Sequence, residues 1–280
     1  MSGIPTMTES ELTALGKLIY QELGIVVTPA KKTMLEARLY RRLRALGLRS
    51  YGEYLDYLRS VRGMEVEMPQ LTSCVTTNTT CFLREAQHVA FLTDTVLPEF
   101  VAAHPGETFR LWSAGCSSGE EPYTLAMAMS EFAERHPRFS FTILATDISN
   151  RVLEEAQRAV YPMEDVDCLP LAWKRKYLLR SKDRSRNLVR VAPEIRRLVQ
   201  FRRLNFMEPF ALRELMHTIF CRNVMIYFDR ATQGQLVAKL CNVLVPGGYL
   251  FIGHSESLTG HDVPLRQRAP AVYQRLAAKD

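Results

Sequence analysis

The chain has 280 residues, 47% hydrophobic and 24% charged, a balance ordinary for a soluble globular protein and long enough for one large core or two modest ones. No signal peptide is evident and nowhere do about 18 apolar residues run together, so neither secretion nor a membrane span is expected. Six scattered cysteines without a CxxC pair, and six histidines without ligand spacing, argue against a disulfide framework and a metal site, and for reduced thiols in the cytoplasm.

The net charge of +6 is concentrated. Residues 31–49, "KKTMLEARLYRRLRALGLR", hold seven basic residues and one acid, so the remainder is neutral and an acidic partner is implied. Before this stretch, Thr8-x-x-Glu11 predicts a capping box opening a helix over Leu12, Leu15, Leu18 and Ile19. At about 100° per residue, Lys31, Arg38, Arg42 and Arg49 fall on one line of a second helix, beside a stripe of Leu35, Leu39, Leu43 and Leu46. One side can pack while the other faces outward. Ser50 with Glu53 predicts the cap of a third helix. An all-helical domain is placed at residues 1–72, then a linker at 73–90, then a domain of a different kind at 91–280.

From about residue 109 the pattern is α/β. "FRLWSA" and "FTILATD" read as buried strands, with helices after each. "LVQFRRLNF", "HTIFCRNV" and "GYLFIGH" read as further strands, and "RATQGQLVAKLCNVLVPGG" as a helix ending at glycine. The alternation predicts a doubly wound, Rossmann-like, mostly parallel sheet. The rhythm breaks at 161–200, an insertion expected to form a small antiparallel subdomain.

The segment "SAGCSSGEEPY" joins the first strand to its helix. It lacks the Lys-Ser of a P-loop and the spacing of a dinucleotide fingerprint, and Glu120 and Glu121 would repel a polyphosphate. S-adenosylmethionine (SAM) suits it better. That ligand has no phosphate, a glycine turn at Gly115 lets backbone approach its amino-acid part, and Glu121 can pair with its ammonium group. Asp147, ending the second strand, is placed for the ribose hydroxyls. The same two acids also fit plain helix N-termini, where carboxylates are favoured and cap.

Further motifs occur in one order: "TTNTTCFLRE" at 76–85, "ATDIS", "RLNFME", "FCRNVMIYFD" and "GGYLFIGHSESL". Together with the glycine loop they resemble the chemotaxis receptor methyltransferases, the CheR family, over nearly the whole chain. The resemblance implies SAM-dependent O-methylation of glutamates on chemoreceptor cytoplasmic helices. The products would be glutamate methyl esters and S-adenosylhomocysteine, in a cytoplasmic, monomeric enzyme. By position it implies Asn78, Thr80 and Arg84 in a segment closing over the cofactor, and Gly115, Glu121 and Asp147 beneath it. Asn205 and Phe206 fall near the adenine, with Phe206 replacing the usual leucine, and Arg222, Asn223 and Tyr227 border the reaction centre. Arg84 and Tyr227 are the implied catalytic residues. Cys81-Phe82-Leu83 departs from the family's paired phenylalanines, and the run from His254 to Ser257 is a family signature with an expected structural role. The segment "RSKDRSRNLVRV" lacks the glycine loop with which some relatives hold a receptor C-terminal peptide, so contact with the methylation helices is the expected mode.

The chemistry agrees with these residue types. A glutamate, with pKa about 4.3, is already an anion at neutral pH and needs no general base. The enzyme's task is then positioning and exclusion of water, and no His-Asp or Cys-His pair is required. The basic stripe of Lys31, Arg38, Arg42 and Arg49 complements an acidic substrate helix. A nucleic-acid methyltransferase is the competing reading, but Arg222-Asn223-Val224-Met225 stands where amino-methylating DNA enzymes carry Asp/Asn-Pro-Pro-Tyr/Phe. The basic stretch has few interleaved aromatics for single-strand binding, so no nucleic acid is expected. A non-catalytic SAM-sensing scaffold is a third reading, disfavoured by the intact Arg84, Glu121, Asp147 and Tyr227.

Overall fold

The computed structural model describes residues 5–277. Helices α1 (Glu9–Leu23), α2 (Lys32–Leu46), α3 (Tyr51–Arg59) and α4 (Met68–Val75) form a cluster with its own core, in which Ile19, Leu39, Tyr54 and Leu58 are fully buried. The Thr8–Glu11 capping box is present on α1, and Gly24 and Gly47 end α1 and α2 in the left-handed conformation. Only half of the box predicted at α3 forms. Ser50 accepts from Glu53 N, but the Glu53 carboxylate takes Arg49 N at 2.7 Å instead of the cap's own amide.

The outward stripe on α2 needs correction. Arg42 donates two hydrogen bonds to Glu67, Nε to Oε1 at 2.8 Å and Nη2 to Oε2 at 2.7 Å, and Tyr54 also donates to that buried carboxylate. Arg38 donates to the carbonyls of Cys74 and Thr76 at the C-terminus of α4, where a cation meets the negative end of a helix. Lys31 lies before α2, in a 3₁₀ turn, and donates to Val26 O. These three side chains hold the cluster together. Only Arg49 of the predicted row is exposed.

The chain between α4 and α5 (Ala86–Phe91) carries no regular secondary structure over 76–81, so both ends of the expected linker are helical. After α6 (Leu97–Ala103) the α/β unit begins. Its strands and helices are β1 (Thr108–Ala114), α7 (Glu120–Arg135), β2 (Ser140–Asp147), α8 (Asn150–Arg158), then β3 (Val160–Pro162), α9 (Leu171–Tyr177), β4 (Leu178–Arg180), β5 (Leu188–Val191) and α10 (Pro193–Arg196). They continue as β6 (Val199–Arg203), β7 (Met216–Cys221), α11 (Arg230–Val243), β8 (Leu244–Ile252), β9 (Leu265–Ala269) and β10 (Val272–Arg275). The main sheet runs β6-β2-β1-β7-β8-β10-β9, its first five strands parallel and the last two antiparallel. Strand β7 is buried along its whole length, as a central parallel strand with helices on both faces must be. The insertion forms a separate antiparallel sheet, β3-β5-β4, while β6 belongs to the main sheet and pairs with β2.

Helix α11 stops at Val243, not at the glycines. Pro246 disfavours helical backbone at Val245, and Leu244 pairs with Met216, so the chain enters β8 before Gly247. Among the described residues no helix is long and apolar enough to cross a membrane.

The winding reverses at β1, which has β2 on one side and β7 on the other. Doubly wound sheets open a crevice at the carboxyl ends of the strands at such a point. Here the helical cluster closes it. Ile25 forms an antiparallel bridge with Phe228, Val26 N donates to Tyr227 O at 3.0 Å, and Asn205 Nδ2 donates to Glu22 O at 2.9 Å.

Candidate active site

All of Asn78, Thr80, Arg84, Gly115, Glu121, Asp147, Asn205, Phe206, Arg222, Asn223 and Tyr227 line a single cavity at this reversal. The floor is set by Gly115, at φ +88°, whose amide donates to Thr146 O. A Cβ there would come within 2.5 Å of Val224 Cγ2, so only glycine allows the turn and the approach of the 222–224 segment together.

Asp147 ends β2 and is buried. Its Oδ2 accepts from Ser117 N at 2.9 Å and its Oδ1 from Ser149 N at 3.0 Å. The bond to Ser149 N lies before the helix and is not a cap, since Ser149 is itself the N-cap residue of α8 and that helix has no side-chain cap; each Asp147 oxygen keeps a second lone pair and the residue faces the cavity. Burial raises its pKa, against the pull of these amides.

Glu121 is not a solvated residue at a helix start. Its Oε1 accepts from Ser113 Oγ and its Oε2 from Arg222 Nε, both at 2.7 Å. Arg222 is the hub of the site: buried, it also donates through Nη1 to Arg84 O at 2.7 Å and to Glu85 Oε2 at 3.2 Å. The neighbouring Glu120 points away from the cavity, bonded to Ser118 Oγ. Thus the two adjacent carboxylates of the loop have different duties. The charged groups facing the cavity are Glu121 and Asp147 against Arg84 and Arg222, a balanced set that suits a zwitterionic ligand and not a polyanion.

Arg84 donates to Thr79 O at 2.9 Å and so ties down the 76–80 segment. Leu83 and Glu85, on either side of it, both take left-handed backbone, at φ +51° and +54°. Two such non-glycine residues store about 1–3 kcal/mol each, and they aim Arg84 into the cavity. Tyr227 sits on the 3₁₀ turn Met225–Tyr227, its hydroxyl 3.4 Å from Thr77 O.

The family signature 254–257 contains a residue whose role the sequence did not disclose. The Glu256 carboxylate accepts from the amides of Gly253, Asn223, Met225 and Ile226, at 2.6 to 3.3 Å, and so fixes the turn that carries Asn223 and Tyr227. An acid just past the end of β8 was the only signal. His88 was also missed. It is buried beside Glu85 and Arg222, and burial with the nearby guanidinium lowers its pKa to about 4, so it is neutral.

Of the predicted substrate-binding row, Arg38 and Arg42 line a second, open groove, joined there by Arg41 and Arg151. Thr76, Thr77, Asn78 and Thr79 border both the groove and the cavity. Lys31 lies instead beside Tyr227, its Nζ 6.0 Å from the ring.

A glycine turn after the first strand, an acid ending the second, and a cavity whose facing charges balance define a Rossmann-like SAM-dependent methyltransferase. The comparisons with known proteins agree. The model described as "CheR methyltransferase, SAM binding domain" matches residues 78–272, and that described as "CheR methyltransferase, all-alpha domain" matches residues 10–76. The chain is 39% identical to a chemotaxis protein methyltransferase of Borreliella burgdorferi, over 96% of this chain and 95% of that one. It is 37% identical to that of Klebsiella aerogenes and 36% to that of Escherichia coli, over 95% of this chain in each case and 90% and 91% of theirs. The chain belongs to the CheR methyltransferase family.

Proposed function

We propose that this protein transfers methyl groups from SAM to glutamate carboxylates on the cytoplasmic helices of chemoreceptors, giving methyl esters. The observation that carries the reading is the pairing of a charge-balanced cavity with an arginine-lined groove across one shared wall, residues 76–79.

SAM supplies a methyl group made electrophilic by its sulfonium, which a carboxylate can attack without first losing a proton. Among the described residues lining the cavity there is no histidine and one cysteine, Cys116, buried with its thiol pKa pushed well up, so neither an imidazole base nor a thiolate nucleophile competes. Asp147, with a free lone pair on each oxygen, is the residue to hold the ribose hydroxyls. Arg84 is free to fork onto a carboxylate. Arg222 pairs with Glu121 and holds its carboxylate aimed for the amino-acid part of the ligand. Tyr227 and the 76–80 segment exclude water and orient the incoming side chain.

Incubation with methyl-labelled SAM and the cytoplasmic fragment of a chemoreceptor tests this. The expected result is label on the receptor fragment that base releases as methanol. Base-stable label, or label only on nucleic acid, overturns the reading.

A further inference from the structure

The groove beside the cavity is lined by four arginines, and the structure separates them into two kinds. Arg42 is committed to buried Glu67, and Arg38 to the C-terminal carbonyls of α4. Neither can leave without exposing an unpaired partner. Arg41 is exposed and makes no hydrogen bond or ion pair among the described residues. Arg151, on α8, also lines the groove, about half exposed, and is held by a surface pair with Glu155 at 2.8 Å. Exposed pairs of this kind exchange readily for a better partner.

Arg151 lies in the first turn of α8, where the helix dipole favours acids and no acid is present. Its helix is nevertheless tied to the helical cluster. Ser149, the N-cap residue of α8, shares a 3.0 Å hydrogen bond with Ser73 of α4, and Ser73 lines the groove as well. Two guanidinium groups, one from each unit, one without a partner among the described residues and one in an exposed pair, therefore line the groove beside the wall that the cavity shares.

We infer that Arg151, with Arg41, is a specificity-determining residue: the pair clamps a second carboxylate of the substrate segment, distinct from the acceptor, and so chooses which glutamate enters the cavity. The inference rests on the proposed glutamate methylation and adds to it a reader on the catalytic unit itself. It also reassigns recognition, from Lys31, Arg38, Arg42 and Arg49 to Arg41 and Arg151.

Steady-state kinetics on the full chain with a receptor cytoplasmic fragment test it. Arg151→Glu is expected to raise the KM for the fragment about tenfold, the scale of about 1.4 kcal/mol, with kcat and the Kd for SAM unchanged. Arg151→Lys retains the charge and is expected to recover most of the loss. A fragment with acids beside its methylated glutamates changed to lysine should restore activity to Arg151→Glu and lose it with the wild-type chain. An unchanged KM in Arg151→Glu, or an equal loss with Arg151→Lys and Arg151→Glu, overturns the inference. A wild-type chain that esterifies no glutamate at all overturns instead the function on which it rests.

Discussion

Arg222 shows how much one side chain carries at the residue scale. It neutralises Glu121 and Glu85 while holding the carbonyl of Arg84, all in a buried setting. Removing one partner of a buried ion pair strands the other, at a cost of about 3–5 kcal/mol. Arg222→Ala is therefore expected to lower the unfolding free energy in urea titration by an amount of that order and to abolish SAM binding, read by calorimetry. Arg84→Ala is expected to behave differently. Its head group makes one recorded bond, to Thr79 O, so the melting temperature should move little while kcat/KM falls by two orders of magnitude or about 3 kcal/mol. Turnover within a few-fold of wild type would remove Arg84 from the reaction. The sequence brought both arginines forward through their motifs, Arg84 in the segment closing over the cofactor and Arg222 at the border of the reaction centre. That one positions the other is a relation between residues 138 apart in the chain, which no local pattern encodes.

The turn from Asn223 to Tyr227 is the element on which the site depends, and it is held from outside. Four backbone amides converge on Glu256, and Asn223 itself stands at φ +59°. An ionised carboxylate accepts from all four, whereas the amide of Gln turns a donor toward donors. Glu256→Gln is expected to destabilise the fold by about 2–3 kcal/mol in urea titration and to raise the KM for SAM, with the conservative Glu256→Asp intermediate. No change in either would show the turn to be fixed by other contacts. The end of α11 gives the same lesson in secondary structure. Helical periodicity up to Gly248 was legible, but the pairing of Leu244 with Met216 in β7 decides where the helix stops. Likewise the basic line on α2 was visible by spacing, while Glu67, which removes Arg42 from it, lies 25 residues away.

For the whole molecule, acid stability follows from two buried histidines at separate places. His88 lies by the active site, and His217 accepts from Arg110 N near the start of β1. Burial first, and a nearby arginine second, lower each pKa from 6.5 to about 4. Both bind a proton more readily when unfolded. Their contribution is complete above pH 6.5 and is lost as pH falls toward 4, on the order of 2–3 kcal/mol each. Glu120, Asp147 and Glu256, whose pKa values burial raises, act in the opposite sense at the acid end. The test is therefore a difference: His217→Gln should flatten the fall in denaturation midpoint between pH 6.5 and 4 relative to wild type, and parallel curves would refute it.

What the sequence determined by itself was the order of the elements, the Rossmann-like class, the SAM cofactor and the family, because hydrophobic period, glycine turns and short motifs are local properties of the chain. What only the tertiary structure decided was which charges remain available. Arg42, Arg38 and Glu121 are spoken for by partners distant in sequence, whereas Arg41 and Arg151 are not. Coulombic pairing and desolvation depend on distance in space and on exclusion of water, and both arise only when β1, the 222–227 segment and the helical cluster close on one another.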